Sequence, residues 1–239
     1  MISKAFYTNI LLASFAFIFS LGILSTSNWQ FAALFSLSIF TAYQWLYERQ
    51  NHWIYLVLGG AISLSYAYLL SPFSWAFATY LCLGLLVITY EKGIKWRKIP
   101  YLKPVFISLC WFALGIGIPK SAFYGHIPNQ DFSHILLFLV LAIVEDLEDR
   151  EVDEGHIKTI PLYLTKSETE VLIALWLFSY LALSSRIDLF SERLEIKILS
   201  IFLTIAPLFY FIYLKKSPKM NHRYFDFILF VIGLLHLLG

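Results

Sequence analysis

Charge is scarce in this sequence. Asp, Glu, Lys and Arg make up 14% of its 239 residues, and the formal net charge is only +2. Apolar residues reach 59%, including 22 Phe, 15 Tyr and 7 Trp. A soluble domain stays nearer half apolar, so that class is excluded. Strict polar–apolar alternation is also missing from the apolar runs, which excludes the strands of a membrane barrel. The run after Met1 is longer than the apolar core of a secretory leader, and no A-x-A cleavage pattern follows it. It reads as a first span. Cysteine is nearly absent: Cys82 and Cys110 both fall within apolar runs and read as reduced thiols acting as small core residues. His126, His134 and His156 show no metal-ligand spacing.

What is abundant is the apolar run of membrane-crossing length. A bilayer core about 30 Å thick needs about 20 apolar residues in a helix. The runs predict an all-α polytopic membrane protein with nine transmembrane helices at about 6–25, 29–47, 53–70, 73–90, 104–118, 132–146, 169–185, 196–214 and 224–238. Pro72, Pro104, Pro119 and Pro218 fall at their ends, as residues that interrupt a helix should. Gly115, Gly117 and Pro119 predict a kinked or closely packed fifth span. No room remains for a soluble domain, so residues 1–239 read as one transmembrane domain. Trp29, Trp53, Trp75 and Tyr90 read as interfacial anchors. Trp111 and Tyr163 read first as packing residues and second as the lining of an apolar tunnel.

Orientation follows from the short loops, because Lys and Arg collect on the cytoplasmic side. Nine crossings put 14 of the 18 basic residues on the side of the N-terminus. The N-terminus is therefore expected in the cytoplasm and the C-terminus opposite, in a cell (inner) membrane.

Against this background one stretch stands apart. Between Glu145 and Glu154, seven of ten residues are carboxylates, directly after the apolar run "HILLFLVLAIV". Asp146, Asp149 and Asp153 stand at i, i+3 and i+7, which stacks them on one helical face. Like charges so close repel, and a bound hard cation such as Mg²⁺ or Ca²⁺ relieves that repulsion. Mg²⁺ commonly takes one or two carboxylates together with substrate phosphates. A solvated acidic loop is the plainer reading of such a run. The residues that follow add to the first reading: Gly155 permits a tight turn and Lys158 is placed to reach a phosphate.

The stretch "EDLEDREVDEGHIKTIPLYL" resembles the second aspartate-rich motif of the UbiA superfamily of intramembrane prenyltransferases, roughly D-x-x-D-x-x-x-D followed by G-x-x-T-[LI]-P. Asp146, Asp149, Asp153, Gly155, Thr159 and Pro161 each match it. The basic loop before the fifth span, "GIKWRKIPYLKP", is similar to the family loop whose lysine and arginine contact diphosphate. The resemblance implies nine transmembrane helices, cytoplasmic aspartate-rich motifs after the second and sixth, and transfer of a prenyl group from an isoprenoid diphosphate to a membrane-embedded acceptor. It also implies Mg²⁺ on Asp146, Asp149 and Asp153, with Arg97, Lys98 and Lys158 steadying the leaving diphosphate.

Where the family carries its first motif, this chain reads "TAYQWLYERQNH". Gln44, Tyr47 and Asn51 fall where three aspartates would stand, and a one-residue shift brings only Glu48 onto an acidic position. These three are substrate-binding candidates through hydrogen bonds rather than charge. Two functions follow: an active Mg²⁺-dependent prenyltransferase, or a non-catalytic UbiA-like membrane protein that binds isoprenoid lipid or a protein partner. A small transporter using its acids is a third and fits less well, because the cluster lies at a span end.

Overall fold

The structure, a computed structural model, describes residues 4–24, 28–47, 52–71, 74–91, 99, 101–148, 159–183 and 223–238. Among the described residues every regular element is helical. The helices are α1 (Lys4–Leu24), α2 (Trp29–Tyr47), α3 (His52–Leu70), α4 (Trp75–Glu91), α5 (Leu102–Phe112), α6 (Ile118–Tyr124) and α7 (His134–Glu148). A short α8 (Ile160–Tyr163), then α9 (Lys166–Leu183) and α10 (Arg223–Leu238), complete the described set. A π-helical turn, Ala113–Gly117, joins α5 to α6, and a 3₁₀ turn, Asn129–Ser133, leads into α7.

Three helical segments are long and apolar enough to cross a membrane: Phe6–Leu24, Trp53–Leu70 and Leu102–Tyr124. Trp75–Tyr90 and Asp131–Val144 are shorter apolar helices. The helices are apolar on outward faces as well as inward ones. On α9, Ile173, Leu177 and Tyr180 are buried, while Val171, Leu175 and Phe178 are exposed between them. On α3, Trp53, Val57, Leu64 and Tyr68 all face outward. Apolar surface of that extent is compatible with a membrane protein, since water would penalise it. Hydroxyls on these helices bond back to the preceding turn, as Ser14 does to Ile10, Ser38 to Leu34 and Thr79 to Trp75. Back-bonding of this kind satisfies a polar group where no water is at hand.

Seven of the expected spans fall on described helices in order, and the ninth falls on α10. The eighth, 196–214, lies outside the described residues. The fifth differs from expectation. Pro119 does not end it: the helix runs on to Tyr124 and stops at Gly125, whose φ of 72° makes it a left-handed cap. A proline inside a helix strips the donor from the carbonyl four residues back, here Gly115. The hydroxyl of Ser20 on α1 donates to that carbonyl at 3.0 Å. The π turn and this borrowed donor together let the helix pass through Pro119.

The core is a run of rings across four helices. Phe19 of α1 meets Phe138 of α7, Phe138 meets Trp111 of α5, and Trp111 meets Phe35 of α2, with centroids 5.4, 5.7 and 5.6 Å apart. Gly115 leaves room for the Phe35 ring, which a Cβ there would touch at 3.0 Å. Of the kink or close packing expected of this segment, the close packing is present. First and last helices also meet: a Cβ on Gly22 would collide with the Gly233 carbonyl, and one on Gly233 with the Ile18 carbonyl. Trp29, Trp53 and Trp75 are exposed. Tyr90 is not an anchor; it is buried and stacks on Phe106 at 5.1 Å. Cys110 is buried, but Cys82 faces outward, so only one of the two thiols is a core residue.

Candidate functional site at the acidic end of the bundle

The antiparallel pair α5–α6 and α7 carries a buried ion pair at each end. Lys103 Nζ lies 2.5 Å from Asp146 Oδ1, and Lys120 Nζ lies 2.6 Å from Asp131 Oδ2. The two lysines are about 26 Å apart along the helix at about 1.5 Å per residue, close to a hydrocarbon thickness of about 30 Å. Charge thus sits at the two margins of an apolar slab and the aromatic core lies between.

At the Asp131 end, the Lys120 pair is joined by His134. Its Nδ1 lies 3.0 Å from the Asp131 carbonyl oxygen, and its ring packs edge-on against Phe19 and Tyr180. The other margin leads into the acidic stretch. Asp146, in the last turn of α7, is fully buried at 0% exposure. Lys103 stands in the first turn of α5, just before Pro104. That turn begins after Tyr101, held at a left-handed φ of 64° with its ring 5.1 Å from that of Tyr163. A non-glycine residue in that region is strained by about 1–3 kcal/mol, so the entry to α5 is set by its surroundings. Tyr163 is half exposed and packs on Tyr101.

Gln44 lies on α2 nine residues past Phe35, two and a half turns on and so on the opposite face of that helix from the ring that meets Trp111. Its side chain is 1% exposed, and Nε2 finds no hydrogen-bond partner among the described residues. A buried amide donor without an acceptor costs about 1–3 kcal/mol, which an acceptor-rich ligand or a water would recover. Thr159, N-terminal to α8 with Pro161 in its first turn, is likewise buried, and its hydroxyl has no partner among the described residues. Tyr47 is the last residue of α2. Asn51, Arg97, Lys98, Asp149, Asp153 and Lys158 lie outside the described residues.

Asp146 offers carboxylate oxygens, the donor type that suits Mg²⁺, and one of them is engaged by the Lys103 ammonium. No group of three or more His, Cys, Asp or Glu converges among the described residues. Lys103 and Lys120, which flank the fifth apolar run, are both buried in ion pairs. Their signal was faint: a lysine at each end of one apolar run, and an aspartate at each end of the next.

Two cavities adjoin this end. One of about 80 Å³ opens between α2, α4 and α5, bounded by Tyr43, Tyr90, Phe106 and Trp111. Among its described lining residues only Lys103 is charged. The other, about 370 Å³, lies between α2, α3 and α4. Ser38, Ala42, Val87 and Leu114 line both, so a single wall separates them. Trp111 packs in the core, the first of its two sequence readings, and also borders the smaller cavity.

In comparison with known proteins, the chain matches no family model, no curated protein and no solved structure.

Proposed function

We propose that this chain is a UbiA-like intramembrane prenyltransferase that binds an isoprenoid diphosphate at its acidic end. In this reading nine helices cross the cell (inner) membrane, with the N-terminus in the cytoplasm. The observation that carries the reading is the apolar cavity ending on Lys103, beside the first aspartate of the Asp146/Asp149/Asp153 stripe. Lys103 at its margin would meet the anionic head of an amphiphile, and the apolar wall would shield the adjoining carbons from water.

Asp146, Asp149 and Asp153 would hold Mg²⁺, which when bound neutralises diphosphate charge. In sequence Lys103 follows Arg97 and Lys98 by six and five residues, and the three together would supply the cations for the leaving group. Gln44 Nε2, buried and without a protein acceptor among the described residues, is suited to donate to a diphosphate oxygen. The surrounding apolar walls would exclude water from the departing prenyl group.

A second reading is favoured by a specific observation. Gln44 occupies a position where an acid would be needed for a second metal half-site, and Lys103 already counters the charge of Asp146. A non-catalytic UbiA-like protein that binds isoprenoid lipid would tolerate both. Purified protein, given a prenyl diphosphate, Mg²⁺ and a lipid-soluble aromatic acceptor, separates the two. Release of diphosphate supports the transferase, binding without release supports the lipid binder, and no binding sinks both.

A further inference from the structure

Gly59 and Gly60 of α3 and Gly84 of α4 leave space that no neighbour requires. A Cβ at any of the three would meet nothing within 4 Å, although glycine inside a helix is unfavourable relative to alanine. All three line the cavity of about 370 Å³ between α2, α3 and α4. Its rim faces outward: Leu56 of α3 and Leu81, Leu85 and Ile88 of α4 line it and are exposed. The wall shared with the smaller cavity closes its inner side. It is a trough on the apolar outer surface of the bundle, apart from the compartment on Lys103.

What fills the trough follows from polarity and size. It is apolar over most of its wall, and no charged residue is among its described lining. The hydroxyls of Ser38 and Ser63 donate to the carbonyls of Leu34 and Gly59 on their own helices, at 2.7 and 2.8 Å, so those protons are taken. Water does not settle in an apolar cavity, and an empty one forfeits contacts along its whole lining. A partner helix is too wide, since two turns at a diameter of about 10 Å occupy about 800 Å³. A hydrocarbon chain from the surrounding bilayer fits.

Chain burial alone does not hold a lipid there, because its tail only leaves one apolar medium for another. Retention has to come from the headgroup. The trough occupies the part of the α3–α4 hairpin away from its turn, lined from Tyr55 to Ser63 and from Tyr80 to Ile88. Beyond that end of α4 the sequence carries Lys92, Lys95, Arg97 and Lys98, with Glu91 the one acid between Tyr90 and Pro100. Basic residues just past a membrane helix attract anionic lipid. We propose that the trough binds an acyl chain of an anionic membrane phospholipid, laid over Gly59, Gly60 and Gly84, and that the charge following α4 selects the headgroup. The inference goes beyond the isoprenoid reading and does not depend on it.

The test uses the full chain, purified and delipidated in mild detergent. The Kd values of phosphatidylglycerol and phosphatidylcholine of equal chain length are measured for the parent, for Gly60→Leu and Gly84→Leu, and for the double variant Lys92→Gln, Lys95→Gln. Thermal scans without lipid check folding, and the leucine variants should melt at or above the parent because leucine is the better helix former. The parent should prefer phosphatidylglycerol by about tenfold or more, the scale expected when several basic residues meet an anionic head. Either leucine should weaken both lipids several-fold, and the lysine variant should lower the preference several-fold. Equal affinity of the parent for the two lipids, or no binding of either, would overturn the proposal. So would unchanged phosphatidylglycerol binding in folded leucine variants. Displacement of the phospholipid by geranylgeranyl diphosphate would overturn it as well, because the trough would then belong to the substrate compartment.

Discussion

Lys103 Nζ and Asp146 Oδ1 are 2.5 Å apart, and both side chains are almost wholly shut away from solvent. The pair ties the first turn of α5 to the last turn of α7 at the point where the chain enters its acidic stretch. A buried pair gains little over two well-packed apolar residues, but an uncompensated half is costly. Lys103→Met and Asp146→Leu should therefore each destabilise the protein by about 3–5 kcal/mol. The double variant should recover most of that loss, as thermal or denaturant unfolding in detergent would register. If Asp146 also serves Mg²⁺, the ion should raise the Tm of Lys103→Met more than that of the parent. Equal shifts would confine Asp146 to the ion pair.

Ser20 and Pro119 make a second coupled pair, although they do not touch. Pro119 takes away the donor that Gly115 would have had, and the Ser20 hydroxyl replaces it. Ser20→Ala should cost about 1–3 kcal/mol, the usual penalty for a buried carbonyl left unbonded. In a Pro119→Ala background the new backbone N–H can take over, so the same change should cost clearly less. A double-mutant cycle on unfolding free energies measures the difference. Additive effects would disconnect the two residues.

Glycine substitutions should sort by position. Gly22→Ala or Gly233→Ala forces α1 and α10 apart, because the added carbon meets main chain rather than a movable side-chain end. Overpacking of this kind costs about 1–3 kcal/mol or more. Gly59→Ala meets nothing and should be neutral or stabilising by about 1 kcal/mol. Comparing Tm values across the three checks the assignment, and a large loss at Gly59 would contradict the open space described there.

Thr165 and Glu168 cap α9 reciprocally. The Thr165 backbone N–H and hydroxyl both donate to Glu168 Oε2, at 2.7 and 2.8 Å, and the Glu168 N–H donates to the Thr165 hydroxyl at 3.3 Å. The backbone bond first, and the hydroxyl bond second, hold the Glu168 carboxyl below its ordinary value of 4.5. A lowered folded-state value means that the cap stabilises fully above that ordinary value and fades as pH falls through the lowered one. The Tm difference between the parent and Glu168→Gln should thus shrink on acidification below about 4.5. A constant difference across that range would show that charge has no part in the cap.

Exposure makes a chemical prediction as well. Cys82 faces outward and Cys110 is buried against the core. A lipid-soluble maleimide should label Cys82 readily in native protein, and Cys110 only after denaturation. For orientation, cysteines introduced at Lys95 and Glu154 should resist an impermeant reagent added outside intact cells, while those at Ser121 and Ser191 react. The reverse pattern would invert the proposed topology.

The sequence by itself determined the helical class and, for α1 to α4, nearly where each helix starts and stops. In an apolar medium each backbone N–H and C=O must be satisfied within its own segment, so the element is written in the length and continuity of its apolar run. The ends of α2 and α3 follow from that alone. It also displayed the Asp146/Asp149/Asp153 spacing, which is local. Tertiary structure alone decided which charges are buried. Lys103 and Lys120 look like loop lysines beside apolar runs, and only the antiparallel register of α5–α6 with α7 brings each onto an aspartate. Pro119 looks like a terminator, and only Ser20 on a distant helix makes it passable. Gly22 and Gly59 are indistinguishable as letters in apolar runs. One is pressed against another backbone and the other faces empty space, because that difference lies in which helix stands opposite and how near.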